Sequence, residues 1–209
     1  MLSFLHKYGA NIHSQNGEDG IIAECVCRMR LQKGHCVEIG GNDGRWMSNT
    51  AHLIEQGWTA LFVEADYDLY RACVQNWSFT NLVRSQCSRV DGKNINAFVG
   101  NDCDLLSLDT DGSDYEIFAG LKTRPKIVIM EIDSSIPPNV EGFNSDGGAG
   151  YFTGVELGIE KGYFLLCHTG NLVFVRDDYK HLFPEVKSRH PLIDAEYYFN
   201  RAWLKADAA

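Results

Sequence analysis

The sequence predicts an α/β fold built on a single, doubly wound sheet of seven strands, mostly parallel with an antiparallel last strand. Five short apolar segments come first, and the stretches between them are long enough to carry a helix, as parallel crossover connections require. The last two segments differ, because only residues 168–171 separate them, a link that suits an antiparallel hairpin. Together these connections predict a parallel sheet that ends in a hairpin.

The strand segments are apolar runs bounded by polar or glycine-containing stretches. They lie at 35–39, 60–64, 81–86, 105–109, 127–132, 163–167 and 172–175. Helices are predicted between them. One spans 17–31, where apolar residues recur near helical spacing, and others follow the first two strands at 48–56 and 67–77. A further helix begins at 154–161, and the aromatic and aliphatic residues of 191–206 predict a terminal helix that packs on the sheet or on a second subunit of a homodimer.

Length and composition predict one domain over residues 1–209. A chain of 209 residues that is 44% hydrophobic and 22% charged can bury a full core and needs no second domain. Within it we predict an N-terminal helical cover at 1–34, a core at 35–176 and a C-terminal extension at 177–209. The segment 134–150 holds two prolines and several glycines and is either a surface loop or a lid over the substrate; its position after the fifth strand favours a lid.

Charge and cysteine content exclude several classes of function. The net charge of -9 and the pI near 5.2 argue against nucleic acid as the main partner, since such domains usually carry a basic face. The seven cysteines have no zinc-binding spacing and fall mostly in apolar runs, which indicates buried thiols in a reducing compartment. Neither a signal segment nor an uncharged run of membrane-spanning length is present in the sequence. We therefore expect a soluble, cytoplasmic protein without a membrane partner.

A glycine-rich turn with acidic neighbours follows the first strand. Gly40, Gly41 and Gly44 let backbone N–H groups approach a ligand closely. Glu38 and Glu64 come at the carboxyl ends of two neighbouring strands, where open α/β sheets bind ligands. A phosphate would avoid these carboxylates, whereas a cationic amino acid joined to a ribose would bind them. The residues therefore favour S-adenosylmethionine over a nicotinamide dinucleotide, whose G-x-G-x-x-G spacing is absent here, and over a purely structural turn.

A second group of acids follows the fourth and fifth strands. Asp109 ends the fourth strand, Asp111 and Asp114 follow it, and Glu131 and Asp133 end the fifth. Carboxylates gathered in one cleft repel each other, so a raised pKa, hydrogen bonds or a divalent cation must offset the repulsion. The alternative is that the 111–114 segment forms a turn and caps the next helix. Without a metal, Asp109 or a histidine, His168 or His13, would serve as general base.

Five segments, in this order and spacing, resemble class I S-adenosylmethionine-dependent methyltransferases of the FkbM-like kind. They are SQNGEDG from Ser14, VEIGGNDG from Val37, Gly57-Trp58 before LFVEAD, DLLSLDTDGSDY at 104–115 and IVIMEIDSSIPP at 127–138. The resemblance extends from about Ser14 to Arg176. It implies a Rossmann-like sheet of strand order 3-2-1-4-5-7-6 and O-methylation of a hydroxyl on a sugar, a glycan or a small natural product.

The resemblance also implies roles for individual residues. Ser14 to Gly20 would lie over the cofactor, although Ser14 or Asp19 could instead cap the first helix. The expected cofactor-binding residues are Gln15, Asp19, Glu38, Gly40, Gly41, Asn42, Gly44, Glu64, Ala65, Asp66, Ser88 and Asp109. As in the macrocin-type sugar O-methyltransferases, magnesium would be held by Asp109, Asp111, Glu131 and Asp133, and the expected catalytic residues are Asp109, Asp133 and His168. Two rivals stay open: a non-catalytic S-adenosylmethionine-binding module and a nicotinamide-dependent oxidoreductase.

Overall fold

Seven strands form one sheet in the order β3-β2-β1-β4-β5-β7-β6. The computed structural model describes residues 3–186 and 188–203. The strands are β1 His35–Ile39, β2 Thr59–Glu64, β3 Val83–Cys87, β4 Leu105–Leu108, β5 Ile127–Glu131, β6 Tyr163–His168 and β7 Asn171–Arg176. All seven lie within two residues of the predicted segments, and the predicted order is confirmed.

The pairing pattern identifies the edge of the sheet at which a ligand can bind. Strands β1 to β5 pair in parallel, whereas β7 runs antiparallel between β5 and β6. The chain reverses its direction of winding between β1 and β4, which are neighbours in the sheet. Open α/β sheets bind ligands at such a switch point, outside the carboxyl ends of the strands.

Helices cover the sheet on both faces. They are α1 Glu18–Arg28, α2 Ala51–Glu55, α3 Tyr67–Asn76, α4 Asp114–Gly120, α5 Tyr151–Glu160 and α6 Ala195–Tyr198. Strands β4 and β6 are buried along their whole length, as strands covered on both faces must be. Helix α5 lies close to the sheet because it carries glycines there: a Cβ on Gly154 would come within 2.7 Å of Leu172 Cδ1.

The predicted terminal helix over 191–206 is wrong for the described part of that range. Helix α6 ends at Tyr198, and a separate 3-10 turn spans Arg201–Trp203; residues 204–209 lie outside the described chain. The chain is extended at Phe199, whose ring is buried and stacks on the His168 ring with 4.4 Å between centroids. The Asn200 N–H then donates to His168 Nδ1. Packing against β6 therefore overrides the helical pattern.

The seven cysteines all lie in the described part of the chain, carry free thiols, and five of them are buried. This placement agrees with their predicted role as small core residues. None of the described helices has the length and apolar character that crossing a bilayer would require.

Candidate functional site

A cavity of about 560 Å³ opens at the carboxyl ends of β1, β2 and β4, the edge that the topology selects. Its walls come from the turn after β1, the ends of β2 and β3, the segment after β4 and the N-terminal loop. Of the predicted cofactor-binding residues, the ones that line it are Gln15, Glu38, Gly40, Gly41, Asn42, Glu64, Ala65, Asp66, Ser88 and Asp109. The structure thus brings together all of that set except Asp19 and Gly44.

The turn after β1 owes its shape to Gly40. Gly40 has φ +75, and a Cβ there would overlap the carbonyl oxygen of Asp109 at the end of β4. Asn42, which follows with φ +50, donates its N–H to Glu64 Oε2 at 2.9 Å. The other oxygen, Glu64 Oε1, accepts from the Asp66 N–H at 2.9 Å. Glu64 therefore joins the turn to the end of β2 and stands at the cavity wall.

Gly44 is required for packing and does not line the cavity. It also has a positive φ, +75, and a Cβ there would meet Cys73 Sγ at 2.6 Å and Trp77 Nε1 at 2.9 Å. The Trp77 indole donates to the Gly44 carbonyl at 2.8 Å. The structure therefore corrects the prediction: this glycine lets the turn approach helix α3, and its spacing from Gly40 does not reveal that function.

Glu38 forms the floor of the cavity and fastens the segment that follows the turn. Its Oε2 accepts hydrogen bonds from the Ser48 and Thr50 hydroxyls, and its Oε1 accepts from the Asn49 N–H at 2.9 Å. Burial raises the pKa of Glu38 to about 7, against the lowering effect of these three donors. The carboxyl thus lines the floor of the cavity and holds the 48–50 segment in place.

Ser14 and Asp19 hold the N-terminal loop against the start of α1, whose N-cap residue is Gly17. Ser14 Oγ accepts from the Asp19 N–H, in the first turn of the helix, at 3.0 Å. Asp19 Oδ2 accepts three backbone N–H bonds, from Ile12, His13 and Ser14, at 2.7–2.8 Å. Asp19 is buried and does not line the cavity. This corrects the prediction that it binds the cofactor; its carboxylate holds the loop instead. The loop in turn places Gln15 at the cavity mouth.

Three carboxyl groups meet where the cavity reaches β4 and β5. Asp109, Asp111 and Glu131, here called the acid cluster, have side-chain oxygens within 4.8 Å of one another. Burial, and then repulsion from Asp111, raises the pKa of Asp109; burial, and then repulsion from Asp109, raises that of Glu131. The Asp109 and Glu131 carboxyl groups are close enough to hydrogen-bond, and this contact adds to burial in holding the pKa of Glu131 above its ordinary value.

Asp114 closes the turn before α4, as the alternative interpretation predicts, but the N-cap residue of that helix is Ser113 and no side chain of the described residues caps it. At the start of α4, its carboxylate accepts from the backbone N–H groups of Thr110 and Gly112, at 2.9 and 3.3 Å. Asp111 and Gly112 both have positive φ, which forms the turn between β4 and α4. Burial, and then repulsion from Asp109, raises the pKa of Asp114 to about 6. The turn thereby directs Asp111 toward Asp109.

Two predicted catalytic residues are engaged elsewhere. Asp133 Oδ1 accepts from the Ser135 N–H and hydroxyl, and its Oδ2 accepts from Asn144 Nδ2 at 2.9 Å, so it organises the following loop and lies outside the acid cluster. His168 is fully buried between β6 and the C-terminal segment. Its Nε2 lies 2.7 Å from the Ser134 hydroxyl, and burial lowers its pKa to about 3. Neither position suits a general base, and His168 is corrected to a structural residue.

A smaller cleft of about 190 Å³ adjoins the cavity and shares Gln15, Asp109 and Glu131 with it. We call it the acceptor cleft; its other lining residues are Asn16, Ile132, Asp133, Ser134, Ser135, Gly170 and Asn171. The predicted lid runs beside this region. A Cβ on Gly112 would overlap the carbonyl oxygen of Asp146, so the 134–150 segment lies against the turn that carries Asp111.

Several lining residues were missed by the sequence analysis. They are Ile39, Trp46, Met47, Ser48, Val63, Leu69, Arg89, Val90, Thr110 and Ser113. Backbone conformation links three positions on the wall: Asn42, Met47 and Asp111 are non-glycine residues with positive φ, an uncommon state that often marks functional sites. No sequence pattern distinguishes Met47 in advance, because its conformation depends on the turn around it.

Comparison with known proteins supports the fold and leaves the acceptor open. No family model matches the chain, and neither does any curated protein. TomG from Streptomyces achromogenes, an O-methyltransferase involved in tomaymycin synthesis and solved in complex with SAM, is 15% identical, with a TM-score of 0.53 over 78% of this chain and 82% of TomG. A candidate O-methyltransferase from Klebsiella pneumoniae is 16% identical, with a TM-score of 0.52 over 82% and 86% of the two chains.

A candidate RNA methyltransferase from Pyrococcus horikoshii is 10% identical, with a TM-score of 0.51 over 77% of this chain and 83% of the other. These structural neighbours are class I methyltransferases with different acceptors. The chain therefore has the Rossmann-like fold of S-adenosylmethionine-dependent methyltransferases, and the choice of acceptor must be argued from the site itself.

Proposed function

We propose that this protein is an S-adenosylmethionine-dependent methyltransferase that methylates a hydroxyl group of a sugar, a glycan or a small natural product. The observation that carries the proposal is the acidic cavity at the switch point of a methyltransferase-type sheet, with Glu64 at the end of β2. A sulfonium cofactor with a free amino group is cationic, so a cavity walled by carboxyl groups attracts it. A dinucleotide with two phosphates would meet repulsion at the same wall.

The cofactor would lie across the carboxyl ends of β1, β2 and β4. Its methionine part would rest on the turn at Gly40 and Gly41, whose N–H groups and open backbone permit close approach. Glu64 would accept hydrogen bonds from the ribose hydroxyls. Leu69 and Val90 supply apolar walls of the same cavity and suit an adenine ring.

The acceptor would enter the acceptor cleft, which meets the cavity at Asp109 and Glu131. Its hydroxyl oxygen attacks the methyl carbon, the carbon–sulfur bond breaks, and S-adenosylhomocysteine leaves with the electron pair. The hydroxyl proton passes to a carboxylate of the acid cluster, in which Asp109 lies at the junction of the cavity and the cleft. Most of the rate gain comes from alignment of the two reactants, because a sulfonium is already a good leaving group.

The acid cluster also fits the magnesium ion that the family resemblance implies. Three carboxylates whose oxygens lie within 4.8 Å of one another are hard oxygen ligands of the kind that magnesium takes in proteins. Asp109, Asp111 and Glu131 would hold the ion, and Asp133 would not, because it is bound to the Ser135 and Asn144 side chains. When bound, the ion would lower the pKa of the acceptor hydroxyl.

Replacement of Glu64 with Ala is the test of the cofactor site. We expect S-adenosylmethionine to bind the wild type in calorimetry and the variant about 1–3 kcal/mol more weakly, because charge-assisted hydrogen bonds to the ribose are lost. Glu160→Ala removes the same charge from an exposed position at the end of α5 and is the matched control, with unchanged affinity expected.

Three outcomes would contradict parts of this proposal. If wild-type protein binds neither S-adenosylmethionine nor S-adenosylhomocysteine, the methyltransferase proposal fails. If it binds a nicotinamide dinucleotide instead, the oxidoreductase alternative is restored. If it binds the cofactor but forms no S-adenosylhomocysteine with any hydroxyl acceptor, with or without magnesium, the protein is a binding module.

A further inference from the structure

The acceptor cleft has a lining of one charge sign. Asp109, Glu131 and Asp133 contribute carboxyl groups, and no lysine, arginine or histidine lines it within the described residues. The remaining lining side chains are amides, hydroxyls and one isoleucine. Binding sites for phosphates, sulfates or carboxylates normally contain a cation or several converging N–H donors. The cleft is therefore unsuited to an anionic acceptor.

An unpaired hydrogen-bond acceptor stands in the same lining. Asn171, at the start of β7, is only 5% exposed, and its Nδ2 donates to Glu18 Oε1 at 3.2 Å. Its Oδ1 is buried and accepts no hydrogen bond from any described residue. A buried acceptor without a donor costs free energy, and a ligand that brings a donor removes this cost. Asn171 and the carboxyl groups therefore favour the same kind of ligand group, one that donates hydrogen bonds.

Charge decides between a neutral and a cationic donor. Three carboxyl groups line the cleft, Asp111 adds a fourth beside them, and no cationic side chain of the described residues lines it. A lining of carboxyl groups without a cation favours positive charge in the ligand. A neutral hydroxyl could fill the hydrogen bonds, but only a cation also gains from the field.

We propose that the acceptor cleft binds a protonated amine of the acceptor, beside the hydroxyl that is methylated, so that the acceptor is an amino alcohol of the amino-sugar class. This inference rests on the proposed function, because it assigns the substrate class of the same site. Asn171 acts in it as a specificity residue that receives one N–H of the ammonium group.

The experiment is a ligand-observed NMR titration of the S-adenosylhomocysteine-loaded protein with three sugars of matched size: glucosamine, glucose and glucuronate. We expect glucosamine to bind about fivefold more tightly than glucose, which corresponds to about 1 kcal/mol, and glucuronate to bind least. The preference should weaken as salt is added, because salt screens charge attraction. Equal or tighter binding of glucose, or binding of glucuronate, would overturn the proposal.

A pair of variants tests the role of Asn171. Asn171→Ala removes the unpaired oxygen together with one donor to Glu18, and Thr169→Val removes the other donor, the hydroxyl 2.6 Å from Glu18 Oε1. We expect the first to abolish the preference for glucosamine and the second to keep it. Loss in both variants would assign the effect to Glu18 and overturn the role of Asn171.

The titration of the wild-type protein with the three sugars tests the inference even if neither variant folds. Failure of the inference is also separable from failure of the proposed function. Without S-adenosylhomocysteine binding the methyltransferase proposal itself is lost, whereas cofactor binding with no preference for the amine refutes the inference alone.

Discussion

Replacement of Gly40 with Ala is expected to lower the free energy of unfolding by about 2–5 kcal/mol and to abolish cofactor binding. Gly40 has φ +75, a conformation that costs an L-residue about 1–2 kcal/mol. In addition, the new Cβ would overlap the Asp109 carbonyl oxygen, and relief of such overpacking adds about 1–3 kcal/mol. The shift would separate the β1 turn from the end of β4, which are the two walls between which the methionine part is proposed to lie.

Urea denaturation and cofactor calorimetry on the same variant measure the two effects. Gly57→Ala is the matched control, since Gly57 has φ +93 but a Cβ there would find its nearest neighbour, Lys33 Cε, at 3.5 Å. This control carries the conformational cost of about 1–2 kcal/mol without an overlap and should bind the cofactor normally. Equal destabilisation of the two variants would show that contact with Asp109 contributes nothing.

Much of the fold could be predicted because its signals are local in the sequence. The lengths of the strands and connections and the acids at the ends of four strands are local, and they were sufficient to predict a parallel sheet with a final hairpin and the edge that holds the cavity. The strand order came from the family resemblance. The short link at 168–171 excluded a parallel crossover, and β6 and β7 do form a hairpin. Predictions from such local patterns hold in the folded protein because the patterns depend on backbone geometry and not on distant partners.

Long-range hydrogen bonds could not be predicted in this way. Asp133 binds Asn144, and His168 meets Asn200, partners 11 and 32 residues away. A carboxylate or a histidine at the end of a strand has the same sequence signature whether it faces a ligand or a loop. Gly44 fails for the same reason, because its need for glycine comes from Trp77 on α3. Which partner a polar side chain finds is decided by tertiary packing.

In the absence of metal, the free energy of unfolding is expected to fall by about 2 kcal/mol between about pH 6.5 and 8.5. Burial raises the pKa of Glu38 to about 7 and that of Asp114 to about 6, and burial with mutual repulsion raises those of Asp109 and Glu131. A carboxyl group whose pKa is higher in the folded state binds more protons there than in the unfolded chain. Stability is therefore greatest where these groups are protonated and is lost as the pH rises through their folded pKa values.

The window must lie above about pH 6.5, because His168 acts in the opposite direction below it. Its pKa is lowered to about 3 by burial, so the unfolded chain binds a proton that the folded protein does not, and stability from this group rises with pH up to the ordinary histidine value. Above that value the histidine is neutral in both states. The carboxyl groups then set most of the slope. Near the upper end the five buried thiols, whose pKa values burial raises, add a loss of the same sign, because the unfolded chain releases their protons first.

Chemical denaturation across this pH window, with and without magnesium, tests whether the acid cluster causes the fall in the free energy of unfolding. Magnesium binds the ionised carboxylates, so it should stabilise the wild type more at about pH 8.5 than at about 6.5. Asp109→Asn removes the charge that adds to burial in raising the pKa of Glu131, and we expect a shallower profile and no response to magnesium. Asp146→Asn, an exposed acid next to the cluster, should behave as wild type. A profile that stays flat or rises in metal-free wild type would contradict this account, because buried carboxyl groups of raised pKa cannot lose protons at higher pH without a cost in stability.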